Sequence, residues 1–316
     1  MVESKAPPAA AWLTLSVAVL AVSSAGIVLQ EMSEVPPILR ASWRMQGTAL
    51  ILLPGFLYQL SRNSDFELNR NDAQLVLASS LFLAIHFGCW VWSLDNTSLV
   101  HSLLFVNTHP LVVVAVMPFL GEAVRRGHIR GVALGFGGAT LSLMDLGDGG
   151  QVSFAGDFAA FVGAVTVVGY ILVGRQLRSK RGMPIFIYAF PVTLAAGAWL
   201  SFATVFLEGT SLSSIEPSDS LFGWSDPIWV VWVAYLSLGP GLCGHTGVNT
   251  VLRWISPIVV SIAMLMEPVL GAIIGWLWTG DVVIGLPTVV GGLMMMAGAI
   301  TVTLQERGQN SSESVS

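Results

Sequence analysis

The sequence predicts an all-α integral membrane protein of ten transmembrane helices, arranged as two inverted five-helix repeats. Three observations carry that expectation: a composition unsuited to a watery surface, ten apolar runs whose flanking basic residues all fall on one side, and motifs that recur half a chain apart. Of 316 residues, 54% are apolar or aromatic and only 10% are charged, against roughly 25% charged in soluble domains. Mean hydropathy is +0.74. A net charge of −5 with 14 Lys plus Arg speaks against nucleic acid as a partner. Cys89 and Cys243 sit inside apolar runs, so no disulfide framework is expected.

The runs fall at 9–30, 35–60, 73–94, 97–120, 129–145, 153–175, 183–207, 228–252, 255–279 and 283–304. Most approach the ~20 apolar residues that a bilayer crossing needs. The first offers a small-x-small cleavage site at Ala21-Val22-Ser23, but it is too long for the core of a signal peptide and only Lys5 precedes it. It reads as a retained span. The expected divisions are a cytosolic N-terminus at 1–8, a first five-helix repeat at 9–147, a second at 148–304, and a Ser-rich disordered cytosolic tail at 305–316. The longest connection, 208–227, reads as a surface loop.

Charge sets the orientation. With the N-terminus in the cytosol, the inward segments hold Lys5, Arg62, Arg70, Arg125, Arg126, Arg130, Arg175, Arg178, Lys180, Arg181, Arg253 and Arg307, and the outward loops hold no Lys or Arg. That asymmetry is the positive-inside pattern, and a miscount by one span would scramble it. Both termini are therefore expected in the cytosol.

Spans four and nine match when Pro110 is laid on Pro268, each proline following an ionisable residue, His109 or Glu267. Downstream come Gly121-Glu122 and Gly280-Asp281, then Gly131-x6-Gly138 and Gly291-x6-Gly298. The same register brings His86 within one residue of His245. Five spans per copy is odd, so the copies face opposite ways, as in carriers that work by alternating access.

These halves resemble the EamA group of the drug/metabolite transporter superfamily. The resemblance rests on Val35-Pro36-Pro37 leading to Arg44, Pro110 with Gly121-Glu122, and Glu267-Pro268 with Gly280-Asp281. It covers nearly the whole chain, with Asp281 standing where the family usually has Glu. It implies a solute carrier or exporter, in a family whose substrates span amino acids, other metabolites, nucleotide sugars and drugs. No lysine lies in a span, whereas the sugar-phosphate and nucleotide-sugar branches generally use one.

Ionisable groups inside a span are costly unless they face a cavity or a partner, which makes them the candidate site. Arg40 and Arg44, four apart, share one helix face. Arg44 lies about 13 Å in from the outer end at 1.5 Å per residue. It could grip a carboxylate or phosphate with both arms, satisfy backbone carbonyls, or pair with Glu267; Arg40 could snorkel outward. Glu267 precedes a proline that removes a helix bond to Met264, and it could exchange a proton during transport, as could its repeat mate His109. These two are the coupling candidates. His86 and Trp90 lie one turn apart on span three, as do His245 and Asn249 on span eight, so the pairs are expected to face a common cavity. Asn107 could donate to substrate or bridge helices. The expected substrate-binding set is Arg44, His86, Trp90, Asn107, His109, His245, Asn249 and Glu267.

No catalytic set, cofactor or metal is expected, since GxxxxGK, HExxH and CxxC patterns are absent. The expected partners are a small-molecule substrate and the lipid bilayer. Gly131-x3-Gly135 and Gly271-x3-Gly275 fit intramolecular packing better than a dimer, though they leave a homodimer open. Two rival readings stand beside the carrier: a membrane-embedded enzyme using His86, His109 and His245 for acid–base work, and a receptor or partner subunit without transport.

Overall fold

A computed structural model describes residues 8–62, 68–120, 124–142, 144, 152–255, 260, 263–280 and 285–313. Lys5, the Gly121-Glu122 pair and Asp281 lie outside them. Among the described residues the regular elements are helical, apart from an isolated bridge between Ser211 and Ser220.

The first run forms α1 (Ala9–Ser23) and α2 (Ala25–Glu31). Then come α3 (Pro37–Arg62), α4 (Arg70–Asn96), α5 (Leu99–Val106), α6 (His109–Val116), α7 (Arg126–Ser142), α8 (Phe154–Arg175) and α9 (Ile185–Leu207). The next run begins as α10 (Pro227–Leu236), passes through a π-helical stretch at Ser237–Thr246, and ends as α11 (Gly247–Val251). Pro240 inside that stretch has no N–H to donate, which favours the wider winding. The chain closes with α12 (Glu267–Thr279) and α13 (Leu286–Glu313). Among the described residues, six stretches are long and apolar enough to cross a membrane: Ala9–Glu31, Arg70–Asn96, Leu99–Phe119, Phe154–Arg178, Ile185–Leu207 and Pro227–Val251. The protein is a multi-pass integral membrane protein.

Local sequence explains the helix starts. Asn69 and Asp72 close a reciprocal capping box on α4, and Ser153 caps α8 through Gly156 N. The start of α3 borrows its cap from a distant helix end: the Glu208 carboxylate accepts from Ile38 N at 2.7 Å and Leu39 N at 3.0 Å. Glu208→Ala is expected to lower unfolding stability by about 1–2 kcal/mol, read as a lower melting temperature in detergent. An unchanged melting temperature would show that the cap carries no weight.

Four expectations need correction. Pro110 and Pro268 do not kink continuous helices. Each occupies the first turn of a new helix, α6 or α12, after a turn at 107–108 or 265–266. Proline suits that position because its missing donor would have no helical partner there. Arg40 does not snorkel: it is fully buried and donates to Leu29 O and the Asp95 carboxylate. The 208–227 connection is not only surface, since Leu221 is buried and Trp43 Nε1 donates to Ser220 O and Leu221 O at 3.2 and 3.1 Å. Finally, α13 continues to Glu313, through most of the segment expected to be a disordered tail. A helix already nucleated by packed turns extends at low cost.

The helices pack in a regular scheme. α7 lies along α13, and α3 lies along α9. α4 packs on α8 and α9, while the π-helical stretch packs on α1 and α3; α5 meets α8, and α12 meets α1. The α7–α13 contact is backbone on backbone. A Cβ placed on Gly131 would stand 2.6 Å from Gly298 O, and one on Gly138 would stand 2.4 Å from Gly291 O.

Candidate functional site

A cavity with about 70 Å³ open to the centre of a water-sized sphere lies between these helices. Its lining draws on both halves of the sequence: Val22, Arg44, His86, Trp90, Asn107 and His109 from the first, and Tyr170, His245, Val248, Met264 and Glu267 from the second. Seven of the eight expected site residues line it.

Arg44 sits at mid-helix in α3 with no exposure at all. Its guanidinium carbon lies 4.4 Å from the Phe87 ring centroid and 5.8 Å from that of Trp90. None of its three nitrogens has a hydrogen-bond partner among the described residues. The ion pair with Glu267 that the sequence allowed is not formed. Glu267 is the first residue of α12, where a helix N-terminus favours a negative group. Its Oε2 accepts from Asn107 Nδ2 at 3.2 Å, and the same amide donates to Leu103 O at 3.0 Å.

The cavity wall is aromatic on the α4 side. The His86 and Trp90 rings lie 6.3 Å apart at 12°, and His86 lies 6.3 Å from His245, which is 5.1 Å from Phe87. His86 and His245, expected from the sequence to share a cavity, thus lie side by side in its lining. His86 Nδ1 donates to Gly163 O at 2.9 Å, which fixes the ring. Trp90 Nε1 has no partner among the described residues. His109, the first residue of α6, is buried in the lining.

Asn249 stands one step back from the cavity. Its amide donates to Tyr170 OH at 2.6 Å and His245 O at 2.8 Å, so it holds two lining residues in place. Tyr170, which the sequence reading passed over, stacks on Tyr188, whose hydroxyl bonds Ser79 Oγ at 2.8 Å. The signal available was a polar ring inside an otherwise apolar run. A second buried group was also passed over. Asp157 accepts from His101 Nδ1 at 3.1 Å and from Thr97 Oγ1 at 2.7 Å, bracing α5 to α8 away from the cavity. The two partners are far apart in the chain, and neither belongs to a repeated motif.

In chemical terms the cavity offers donors and rings. Glu267 is the one carboxylate among the lining residues, already held by Asn107, and no nucleophile stands beside a base there.

Apolar helices around a cavity with a buried charged tip define a polytopic membrane protein with an internal site. Residues 9–144 match the EamA-like transporter family. The chain carries an EamA domain, of the drug/metabolite transporter superfamily, over those residues. A solved structure titled "Crystal structure of protein" superposes with a TM-score of 0.63 over 95% of this chain and 98% of its own, at 19% identity. That likeness is one of fold. No curated protein matches by sequence.

Proposed function

We propose that the protein is a secondary transporter that moves a small polar or amphipathic metabolite across a membrane by alternating access. The observation that carries this reading is the cavity between the halves, with a buried guanidinium at its edge that no group among the described residues satisfies. A buried polar donor left without a partner is costly, so its retention points to a ligand that supplies the acceptor.

Ten crossings in two inverted repeats, with both termini cytosolic, account for the packing scheme. The register that lays Pro110 on Pro268 pairs Gly131 with Gly291 and Gly138 with Gly298. A two-fold axis then turns the Gly131–Gly298 contact into the Gly138–Gly291 contact, and both exist. The same operation turns α4 on α8 into the π-helical stretch on α1, and the start of α6 into the start of α12. Rocking of one repeat against the other would expose the cavity to each side in turn.

Glu267 is the group placed to exchange a proton, with His109 its counterpart across the axis. In proteoliposomes, Glu267→Gln is expected to lose uphill, pH-driven uptake but retain exchange of solute for solute. Arg44→Ala is expected to lose both, by about tenfold or more, the factor that ~1.4 kcal/mol of binding energy supplies. If both variants reach the membrane folded and transport as the wild type does, the cavity is not the transport site.

A further inference from the structure

Resting on the carrier reading, we infer that the cavity takes an organic monocarboxylate with a flat apolar or aromatic body. Its carboxylate would be forked on Arg44, and its body would lie against the wall made by Trp90 and His86.

The guanidinium decides the head group. Rings stand close to Arg44, Phe87 at 4.4 Å and Trp90 at 5.8 Å. Contact with the two rings uses the charge of the guanidinium and none of its N–H donors, which stay available for a hydrogen bond. All three nitrogens lack partners among the described residues. A planar acceptor with two oxygens meets two of those donors at once.

Charge decides the valence. Arg44 is the one Lys or Arg among the lining residues, and Glu267 is the one acid. A phosphate monoester near two negative charges would carry one charge without a match in a site shielded from water, where an uncompensated charge is strongly unfavourable. A single negative charge matches Arg44 once Glu267 holds the proton that the carrier reading assigns to it. An ammonium would bring three donors, whereas the carboxylate in reach already accepts from Asn107.

The walls decide the body. His86 and Trp90 are stacked at 12° with centroids 6.3 Å apart, and both line the cavity, where an aromatic ring or a planar chain can pack on them. Val106, Val167, Val248 and Met264 face the same space. Trp90 Nε1, without a partner among the described residues, adds one donor beside the head group.

The test is ligand-induced stabilisation of the detergent-solubilised full chain, since binding to the folded state raises its melting temperature. The probes are 3-phenylpropionate, its neutral amide, phenyl phosphate and phenylalanine. The carboxylate is expected to bind at least about tenfold more tightly than each of the others, the scale of a lost charge-assisted pair. Arg44→Lys keeps the charge, loses the fork, and should weaken the carboxylate by about tenfold. Equal binding of the amide, tighter binding of phenyl phosphate or phenylalanine, or no binding of any probe to the wild type would overturn the assignment, and none of these needs a variant to fold. Flux is measured separately in proteoliposomes with the 3-phenylpropanesulfonate anion, which does not cross lipid as a neutral acid. Binding of both the carboxylate and the sulfonate without sulfonate movement would sustain the head-group assignment and defeat the carrier reading. Movement of neutral or zwitterionic solutes without carboxylate binding would do the reverse.

Discussion

Gly298→Ala is expected to disrupt the seam between α7 and α13 and to cause one of the largest losses of stability of any single methyl group added to this protein. The new Cβ would stand 2.5 Å from Gly131 O, 2.6 Å from Gly135 N and 2.8 Å from Gly135 Cα. All three are backbone atoms on the facing helix, so no flexible side chain can swing away. The helices must part, and closely interdigitated glycine faces are what hold helices together where lipid is as apolar as the partner. Overpacking of this kind costs about 1–3 kcal/mol or more. Gly137→Ala on the facing helix α7 is the control, because its Cβ meets only Met294 Cε, at 3.7 Å. Thermal unfolding should show a marked drop for Gly298→Ala and little change for Gly137→Ala. Equal effects would mean that the seam is not the tight contact described here.

Trp43→Ala is expected to open the face that the 208–227 connection covers. Trp43 has no exposure; its indole N–H is shared by Ser220 O and Leu221 O, and its ring lies 6.1 Å from Trp229. One turn on, Gln46 accepts from Trp224 Nε1 at 2.8 Å and donates to Leu221 O at 3.3 Å. These contacts seal the connection onto α3 one residue before Arg44. Truncating a buried Trp costs about 3–5 kcal/mol, and the loss falls on the conformation in which the seal is closed. Even ~3 kcal/mol shifts a two-state equilibrium by about a hundredfold. A cysteine introduced at Val106 in the cavity lining, in a background without Cys89 and Cys243, reports the shift. An impermeant thiol reagent applied from the loop side should label it at least about tenfold faster in Trp43→Ala than in the Trp43 parent. Unchanged labelling would mean that these bonds do not hold that side shut.

Much of the architecture was legible because lipid imposes one-dimensional rules. A run of apolar residues long enough to cross cannot hide, and an Arg or Glu within one stands out by cost alone. That is why Arg44, Glu267 and the histidines could be singled out, and why His86 and His245 could be paired through the repeat. Other features are set by contacts between distant residues. The composition of 208–227 is polar, and nothing local says that Leu221 enters the core beneath Trp43. Arg40 and Arg44 look equivalent in sequence, yet Asp95 and Leu29 O satisfy one and leave the other to the cavity. Asn249 looks like a site residue but serves Tyr170.

The amino-acid sequence by itself determined that the chain lies in a bilayer and which charged groups had to find shelter, because hydration energy is paid residue by residue. Only the tertiary structure decided which of those groups found protein partners and which face the cavity. A partner across some 160 residues, such as Asn107 for Glu267, exists only once the helices have packed.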